Sequence, residues 1–367
     1  MKRVVVKVGT AVLTTRDGNL DREFINSLCS QMARARELGW EVICVTSGAI
    51  RAGAERLKLK RRPQLLPEKQ AAAAVGQGLL LQLYSESLAS HQITSAQVLL
   101  TRDDFSDRSR YLNARNTLMK LLDYGVVPII NENDTVSVAE IRFGDNDMLA
   151  SLVGTIVEAD LVMLLTDVPG LCWEKPKRGS EPKVISVVEE ITPELENIAA
   201  GGDSERGGTG GMASKLEAAR VAMASGVALH IVPGREPDVV LRSIAGEELG
   251  TRFQPSATRL NSRKRWIAFA VPVRGSIKVN ENAAKYIVSH NKSLLAVGIT
   301  DVSGEFESGE LVRIINEQGQ GVARGFVNYN SDEVRRIMGQ KSSEIAETLG
   351  YKAFDEVIHR DNLVPGV

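Results

Sequence analysis

Five short and almost purely apolar segments recur through the first 235 residues, with longer segments of helical periodicity between them. They span residues 4–8, 41–46, 126–130, 161–166 and 228–233. A strand that is apolar throughout is buried on both faces, which is typical of parallel sheets covered by helices. The alternation of strand and helix therefore predicts an α/β/α sandwich with a mainly parallel sheet and right-handed crossovers.

Several of the intervening segments have recognisable helix ends. Residues 24–38 place apolar side chains on one helical face, and Gly39 supplies a left-handed stop. Two further helices are predicted to end in the same way, residues 107–124 before Gly125 and residues 212–225 before Gly226. Residues 148–157 are predicted to form an apolar helix.

The character of the sequence changes after about residue 255. A polar, basic stretch is followed by short strand candidates that are separated by glycine-containing turns. The strand candidates are residues 276–279, 293–299, 311–315 and 321–328. This pattern predicts a small, mostly β domain. The predicted organisation is a first domain over 1–257, a linker over 258–273, a second domain over 274–355 and a C-terminal tail over 356–367.

Bulk properties exclude several classes of protein. With 45 Lys+Arg against 46 Asp+Glu the formal charge is −1, so no global field directs the chain to nucleic acid or an anionic membrane. The 3 cysteines and 4 histidines are scattered, without the spacing of a disulfide framework or a zinc site. No apolar run reaches the ~20 residues that span a bilayer, and no secretory signal is recognisable. We expect a cytoplasmic protein without a membrane partner.

Polar and glycine residues follow the carboxyl ends of the predicted strands, the edge at which parallel sheets bind ligands. These residues are Lys7 with Gly9, Ser47-Gly48-Ala49, Asn131-Glu132-Asn133-Asp134, and Thr166-Asp167. Lys7 interrupts a valine run, and a buried lysine is costly unless it reaches an anion or water. Lys7 is predicted either to reach solvent at the sheet rim or to hold a phosphate.

A glycine-rich segment, 207–211, opens the helix predicted over 212–225. Free N–H groups at a helix start bind anions, and glycines allow a close approach. Lys215 in the first turn opposes the helix dipole by about 0.3–1 kcal/mol, a penalty that a bound polyphosphate would reverse. The segment matches neither the P-loop nor the Rossmann fingerprint, and a flexible surface loop is the alternative interpretation.

Acidic residues complete the set. In Gly144-Asp145-Asn146-Asp147 one carboxylate could cap a helix, but two exceed what capping needs. With Asp134 they could position a metal–nucleotide or bind an ammonium group. The amides and carboxylates of 131–134 suit a zwitterionic amino acid, although a solvated turn explains them too. Two lysines, two glycine-lined anion sites and a cluster of acids together favour phosphoryl transfer, which depends on positioning and charge neutralisation.

In this order, the motifs resemble those of the amino acid kinase family, and within it the bacterial members that phosphorylate glutamate and carry a C-terminal PUA domain. The resemblance covers nearly the whole chain. It implies an amino acid kinase-like sandwich, a PUA-like second domain, and transfer of the γ-phosphoryl group of ATP to the side-chain carboxylate of L-glutamate. The product would be L-glutamyl 5-phosphate, the first intermediate of proline biosynthesis. Magnesium, feedback inhibition by proline and a homo-oligomer, dimer or tetramer, are also implied.

The same resemblance implies roles for individual residues. Lys7, Lys215 and Asp147 would be catalytic, with Asp147 organising the two lysines. The ATP-binding residues would be Lys7, Gly9, Thr166, Asp167, Thr209, Gly210, Gly211, Met212, Ala213, Ser214 and Lys215. The substrate-binding residues would be Ser47, Asp134, Asp145 and Asn146. No metal ligand is assigned.

Three alternatives remain open from the sequence. One is a kinase of the same fold that acts on uridylate or aspartate. Another is an RNA-binding protein, since PUA domains occur in such proteins. Residues 275–355 hold 9 Lys+Arg and 11 Asp+Glu, 9 − 11 = −2, which disfavours RNA, while the basic stretch 259–265 keeps the idea open. The third is a non-catalytic amino acid sensor, against which the presence of both Lys7 and Lys215 argues.

Overall fold

The structure, a computed structural model, describes residues 1–15, 17–137, 146–173, 182–200, 211–255, 273–290 and 292–366. The chain divides into two compact units, Met1–Arg259 and Leu260–Val367. Each unit has its own hydrophobic core. In the described ranges, no helix is both long and apolar enough to cross a membrane.

The first unit is built on a sheet whose described strands are eight in number. They are β1 (Lys2–Val8), β2 (Trp40–Thr46), β3 (Ser95–Leu100), β4 (Val127–Glu132), β5 (Leu161–Thr166), β6 (Val187–Val188), β7 (Ala228–Pro233) and β8 (Thr251–Phe253). Their order across the sheet is β3-β4-β2-β1-β5-β7-β8-β6. All neighbouring pairs are parallel except β7 and β8, so the predicted mainly parallel sheet is confirmed.

Helices connect these strands. They are α1 (Thr10–Leu13), α2 (Arg22–Glu37), α3 (Ala49–Arg56), α4 (Leu66–Ala89), α5 (Arg102–Ser106), α6 (Arg108–Asp123), α7 (Asn146–Ile156), α8 (Pro193–Ala200), α9 (Met212–Ala224) and α10 (Val239–Ile244). The predicted glycine stops after α2 and α9 are present, with φ of 85° at Gly39 and 75° at Gly226. A side chain would be strained at such angles, which is why glycine ends these helices.

Several elements of the first unit escaped prediction, and β3 and α4 are the two that matter most for the site. The strand β3 lies at the edge of the sheet and carries Ser95 and Gln97, so it lacks the continuous apolar run of a strand buried on both faces. The helix α4 is apolar around its whole circumference for much of its length, which removes the one-sided pattern that marks a surface helix.

The register of the parallel strands places the candidate site residues along one edge of the sheet. Val8 at the end of β1 pairs with Thr46 of β2 and with Leu165 of β5. The strands β2 and β4 run parallel as well. The residues that follow β1, β2, β4 and β5 therefore lie along the same edge, as the sequence predicted.

The second unit holds a five-stranded sheet with short helices in its described residues. The strands are β9 (Gly275–Val279), β10 (Ile299–Gly304), β11 (Leu311–Ile315), β12 (Gly321–Phe326) and β13 (Leu363–Pro365), in the order β10-β9-β11-β12-β13. The helices are α11 (Glu281–His290), α12 (Ser331–Ile337) and α13 (Ile345–Leu349). The prediction of a small, mostly β unit is confirmed.

Two local expectations for this unit were wrong. Residues 293–299 are not a strand, because Ala296–Gly298 forms a 3-10 helix and β10 begins only at Ile299. The segment 356–367 is not a tail, because β13 pairs with β12 and Val357 and Ile358 are buried in the core. The apolar stretches at 357–358 and 363–364 are too short for the sequence alone to predict a core element. Most of the predicted linker, residues 258–272, lies outside the described residues.

Candidate active site

Two lysines from different elements meet one buried carboxylate at the carboxyl edge of the sheet. Lys7 of β1 places Nζ 2.6 Å from Oδ1 of Asp147, and Lys215 of α9 places Nζ 3.0 Å from Oδ2. Their exposures are 4% for Lys7, 6% for Lys215 and 0% for Asp147. Asp147 thus holds two ammonium groups close together at the ligand-binding edge of the sheet, an arrangement suited to receive an anion.

Local structure explains how these three side chains are presented. Asp147 lies in the first turn of α7, where the helix dipole favours an acid. Lys215 lies in the first turn of α9, where the dipole disfavours a cation, and Gly211 caps that helix without a side chain. The start of α9 therefore offers backbone N–H groups and an ammonium group to the same anion.

Gly9 lies against the ammonium group of Lys7. A Cβ atom added at Gly9 would stand 3.5 Å from Lys7 Nζ and 3.6 Å from the carbonyl oxygen of Leu165. The Gly9 N–H donates to that same oxygen over 3.3 Å. Glycine thus leaves open the space beside the Lys7 ammonium group.

Thr166 ends β5, next to β1 in the sheet, and Asp167 follows it. The Thr166 hydroxyl lies 3.4 Å from Asp167 Oδ1, and its carbonyl oxygen accepts from Gly234 N–H at 2.8 Å. The second of these bonds ties the end of β5 to the residue that follows β7. Within the described residues, the side chains of Thr166 and Asp167 form no hydrogen bond with Lys7 or Lys215.

A second cluster lies at the ends of β2 and β4. The side-chain nitrogen of Asn146 lies 2.9 Å from the Thr46 carbonyl oxygen, 2.9 Å from Ser47 Oγ and 3.0 Å from Asn131 Oδ1. Because Ser47 Oγ accepts this bond, its own hydrogen is available to another acceptor. Asp134 lies in the turn that follows β4, and the N–H of neighbouring Asn133 donates to Leu100 of β3.

The structure thus brings some predicted residues into contact and leaves others apart. Lys7, Asp147 and Lys215 form one cluster, and Ser47 and Asn146 belong to another. Asp147 directly follows Asn146, so α7 joins the two clusters. Met212, Ala213 and Ser214 form the first turn of α9 behind Gly211. Three predicted residues lie outside the described part of the chain: Asp145, Thr209 and Gly210.

A cavity of about 310 Å³ borders the turn after β4. Its lining includes Asp103, Asp104, Arg110 and Asn133, so both signs of charge face it. It adjoins the loop expected to bind an amino acid, and its mixed lining suits a charged polar molecule rather than an apolar one.

Sequence reasoning missed the contribution of α4. Gln77 of this helix donates to the Glu132 carbonyl oxygen at 3.1 Å and accepts from Asn131 Nδ2 at 3.3 Å. Tyr84 OH lies 3.0 Å from Thr46 Oγ1. The available signal was a seven-residue spacing of polar groups, Gln70, Gln77 and Tyr84, along an otherwise apolar segment.

Comparison with known proteins assigns the family. The model of the amino acid kinase family matches residues 2–233. The chain belongs to the amino acid kinase family. The PUA domain model matches residues 275–349, within the second unit of this family member. The resemblance of the sequence motifs to PUA-carrying members of the family is therefore confirmed.

Relatives of nearly full length share both parts of this amino acid kinase. The chain is 50% identical over 362 residues to the glutamate 5-kinase of Caldanaerobacter subterraneus subsp. tengcongensis, covering 99% of this chain and 97% of that protein. It is 47% identical over 364 residues to the glutamate 5-kinase of Trichlorobacter lovleyi, with coverage of 99% and 96%. Such identity extends across both units.

A solved structure has the same fold as the first unit. The carbamate kinase from Giardia lamblia bound to AMP-PNP matches with a TM-score of 0.50 and 18% identity, covering 70% of this chain and 99% of that one. At this identity the likeness concerns the fold, and it agrees with the α/β/α architecture described above.

Proposed function

We propose that this amino acid kinase transfers the γ-phosphoryl group of ATP to the side-chain carboxylate of L-glutamate, giving L-glutamyl 5-phosphate, the first step of proline biosynthesis. The observation that carries the proposal is the buried cluster of Lys7, Asp147 and Lys215 beside the polar cluster of Ser47 and Asn146. Glutamate 5-kinases of nearly the same length and about 50% identity support this acceptor.

The proposed reaction requires the protein to neutralise charge rather than to transfer a proton. A carboxylate acceptor is already ionised at neutral pH, so no general base is needed. The difficulty is to bring this anion to a polyphosphate, and two preorganised ammonium groups at one edge of the sheet reduce that repulsion. Asp147 holds the ammonium groups of Lys7 and Lys215 close together, one on each of its two oxygens.

The nucleotide belongs on the side of the cluster formed by β5 and α9. Gly211 and the first turn of α9, with Lys215, would face its phosphates. Gly9 would permit a close approach beside Lys7. Thr166, Asp167, Met212, Ala213 and Ser214, and outside the described residues Thr209 and Gly210, are proposed as further nucleotide contacts.

The acceptor belongs on the side of β2 and β4. The Ser47 hydroxyl, which receives a bond from Asn146, can donate to a carboxylate. Asp134 and Asn146 supply oxygen atoms for an ammonium group, and Asp145 is proposed to help at the same end. This mixture of donors and acceptors matches a zwitterionic amino acid.

Magnesium enters the proposal as part of the nucleotide substrate. Within the described residues, no group of three or more His, Cys, Asp and Glu side chains could hold a metal ion. Asp147, a fully buried carboxylate of the site, is engaged by two lysines. These residues do not fit a protein-held metal, and no step here depends on one. Mg²⁺ bound by substrate phosphates and water does not require such a site.

An acceptor panel tests the proposal against its rivals. Purified protein is incubated with ATP, magnesium and one acceptor at a time, L-glutamate, L-aspartate or uridylate, and ADP release is measured. Turnover with glutamate at least 100-fold above the other two is the expected result. Preference for uridylate or aspartate would identify a different kinase of this fold. No turnover with any acceptor, together with glutamate binding, would indicate a sensor.

Replacement of Asp134 by alanine is expected to raise the KM for glutamate roughly 10–150-fold, the cost of losing a charge-assisted hydrogen bond of about 1.5–3 kcal/mol. The KM for ATP should stay within about twofold, because Asp134 follows β4 on the acceptor side. Steady-state kinetics with each substrate varied in turn measure both values. Asp123→Ala, at the exposed end of α6, is the control. A rise in the KM for ATP alone would assign this loop to the nucleotide.

The chemistry is proposed to reside in the first unit. Every residue assigned to it precedes α10, and residues 258–273 are proposed as a connector, with the second unit serving regulation or association. A protein ending at residue 257 is therefore expected to fold and to phosphorylate glutamate at a rate comparable to the full chain. A folded truncation without activity would contradict this. Salt-sensitive RNA retention by the full chain would instead support an RNA-binding role.

Further parts of the proposal concern partners and location. Inhibition by proline, assembly into a homodimer or homotetramer, and a cytoplasmic location are expected from the resemblance to the family. Proline added to the glutamate assay tests the first, and sedimentation analysis tests the second.

A further inference from the structure

The helix α4 carries three polar side chains at intervals of seven residues. Gln70, Gln77 and Tyr84 share one helical face, because seven residues make about two turns. Gln70 donates to the Ser137 carbonyl oxygen at 3.4 Å, while Gln77 and Tyr84 reach Glu132 and Thr46 as described above. The three contacts fall on the loop after β4, the end of β4 and the end of β2. They lie directly behind the proposed acceptor side.

The position of Gln77 is fixed by close helix packing. The neighbouring residue, Gly76, packs so tightly on α3 that an added Cβ would lie 1.8 Å from the Ala49 carbonyl oxygen. On the adjacent turn a Cβ at Gly53 would lie 1.7 Å from the Ala72 carbonyl oxygen. The backbones of α3 and α4 are thus in contact, and the Gln77 side chain has little freedom to shift along the helix axis.

The backbone of Glu132 fixes which way two side-chain amides point. Its N–H donates to Asn131 Oδ1 at 2.9 Å, and its carbonyl oxygen accepts from Gln77 Nε2 at 3.1 Å. Asn131 Nδ2 must then face Gln77 Oε1, as it does at 3.3 Å. Turning either amide over would oppose two donors or two acceptors in a buried place, at a cost of about 1–3 kcal/mol.

The orientation of the Asn131 amide in turn determines the orientation of the Asn146 amide. Because Asn131 presents its oxygen, the Asn146 amide must meet it with nitrogen, at 3.0 Å. The same nitrogen also faces the Thr46 carbonyl oxygen and Ser47 Oγ. Within the described residues, the Asn146 side chain makes its hydrogen bonds through this nitrogen, so its oxygen is left for a ligand. A carbonyl oxygen accepts from an ammonium group, which has three hydrogens and no acceptor.

We infer that Gln77 is a positioning residue that, through Asn131, holds the Asn146 amide with its oxygen toward the α-ammonium group of the acceptor. Selection for an amino acid over a plain dicarboxylate would then depend in part on a glutamine that does not touch the substrate. The inference rests on the proposed function, because it takes Asn146 as an acceptor-binding residue. The Glu132 N–H remains as a second determinant of Asn131, and the Thr46 carbonyl oxygen as a second determinant of Asn146. Loss of Gln77 therefore weakens the orientation without abolishing it.

The test compares two acceptors and three variants. Glutarate has both carboxylates of L-glutamate but no amino group, so its affinity does not depend on the Asn146 oxygen. The affinities of both compounds are measured by calorimetry and by competition in the kinase assay. Gln77→Met removes both hydrogen bonds at similar volume. Gln77→Glu keeps the acceptor for Asn131 but loses the donor to the Glu132 carbonyl oxygen. Gln82→Met is the control, since Gln82 is exposed on the same helix and bonds to Glu86 at 2.7 Å.

Gln77→Met is expected to weaken glutamate binding about tenfold, while glutarate affinity and the KM for ATP stay within about twofold. Gln77→Glu should lie within about threefold of the unmodified protein for glutamate, because the Asn131 orientation is kept, and Gln82→Met should be unchanged. If Gln77→Met does not fold, Gln77→Ala, which also removes both hydrogen bonds, takes its place with the same expected loss for glutamate and not for glutarate.

Several results would overturn the inference. Unchanged glutamate affinity in Gln77→Met would do so. Equal losses of affinity for glutamate and glutarate would also do so, because they indicate loosened packing. Equal losses of glutamate affinity in Gln77→Met and Gln77→Glu would indicate the same. In those cases an unmodified protein that phosphorylates glutamate leaves the proposed function standing. An unmodified protein that neither binds nor phosphorylates glutamate would refute both.

Discussion

Replacing Lys7 or Lys215 by alanine is expected to cut turnover by on the order of 10²–10³, the usual cost of removing one preorganised donor from a site of developing charge. Both side chains are buried at the sheet edge and share the oxygens of Asp147. Removing either one takes a positive charge from the point where two anionic substrates would meet. The loss should appear in kcat more than in either KM, because the charge matters most during transfer.

The comparison needs a lysine that is outside this cluster. Lys120 on α6 is mostly exposed, and its Nζ lies 3.7 Å from Asp123 Oδ2. Lys120→Ala is therefore a matched control that should keep full turnover. Both active-site variants should remain folded, because each removes one of two cations that share a single carboxylate. Near-normal turnover in a folded Lys7→Ala or Lys215→Ala protein would contradict the assignment of that lysine.

Replacing Asp147 by asparagine is expected to have the largest combined effect. The substitution keeps the shape but removes the charged carboxylate that both buried ammonium groups contact. Breaking a buried ion pair in this way costs about 3–5 kcal/mol of stability. Turnover should fall at least as far as in the lysine variants, since Asp147 orients both. Chemical unfolding measures the stability, and Asp123→Asn, an exposed carboxylate at 61% side-chain exposure, should change it by less than about 0.5 kcal/mol.

A second substitution distinguishes lost charge pairing from a general loss of packing. If the cost comes from the lost charge pairing with Asp147, adding Lys215→Met to Asp147→Asn should restore part of the lost stability, because the double variant buries one fewer charge. Strict additivity of the two single effects would mean that the Asp147–Lys215 pair contributes little. An Asp147→Asn protein as stable and as active as the original would remove the cluster from both fold and mechanism.

The parts of the fold that were predictable are those whose burial leaves a mark on composition. Strands β1, β2, β4, β5 and β7 lie inside the sheet, and two-sided burial makes them almost continuously apolar. The edge strand β3 and the apolar helix α4 carry no such mark. The terminal strand β13 also escaped, because a three-residue strand depends on pairing with β12 rather than on its own pattern.

The candidate site was also predictable only in part. The rule that ligands bind at the carboxyl edge of a parallel sheet placed Lys7, Ser47 and Thr166 on one edge without any structure. The sharing of Asp147 by lysines from β1 and α9 could not be derived from spacing, since Lys7 and Lys215 are far apart in the sequence. The bonds of Gln77 were equally hidden, because an amide within an apolar helix does not reveal its partner.

The most direct test of the central claim is the identity of the phosphorylated group. The protein is incubated with ATP, magnesium, L-glutamate and excess hydroxylamine, which converts an acyl phosphate into a stable hydroxamate. The product is separated against synthetic α- and γ-glutamyl hydroxamates while ADP is measured in the same sample. The proposed function predicts γ-glutamyl hydroxamate in amounts equal to ADP, and a 10²–10³-fold lower rate with Lys215→Ala. ADP without hydroxamate, or the α-hydroxamate, would contradict it.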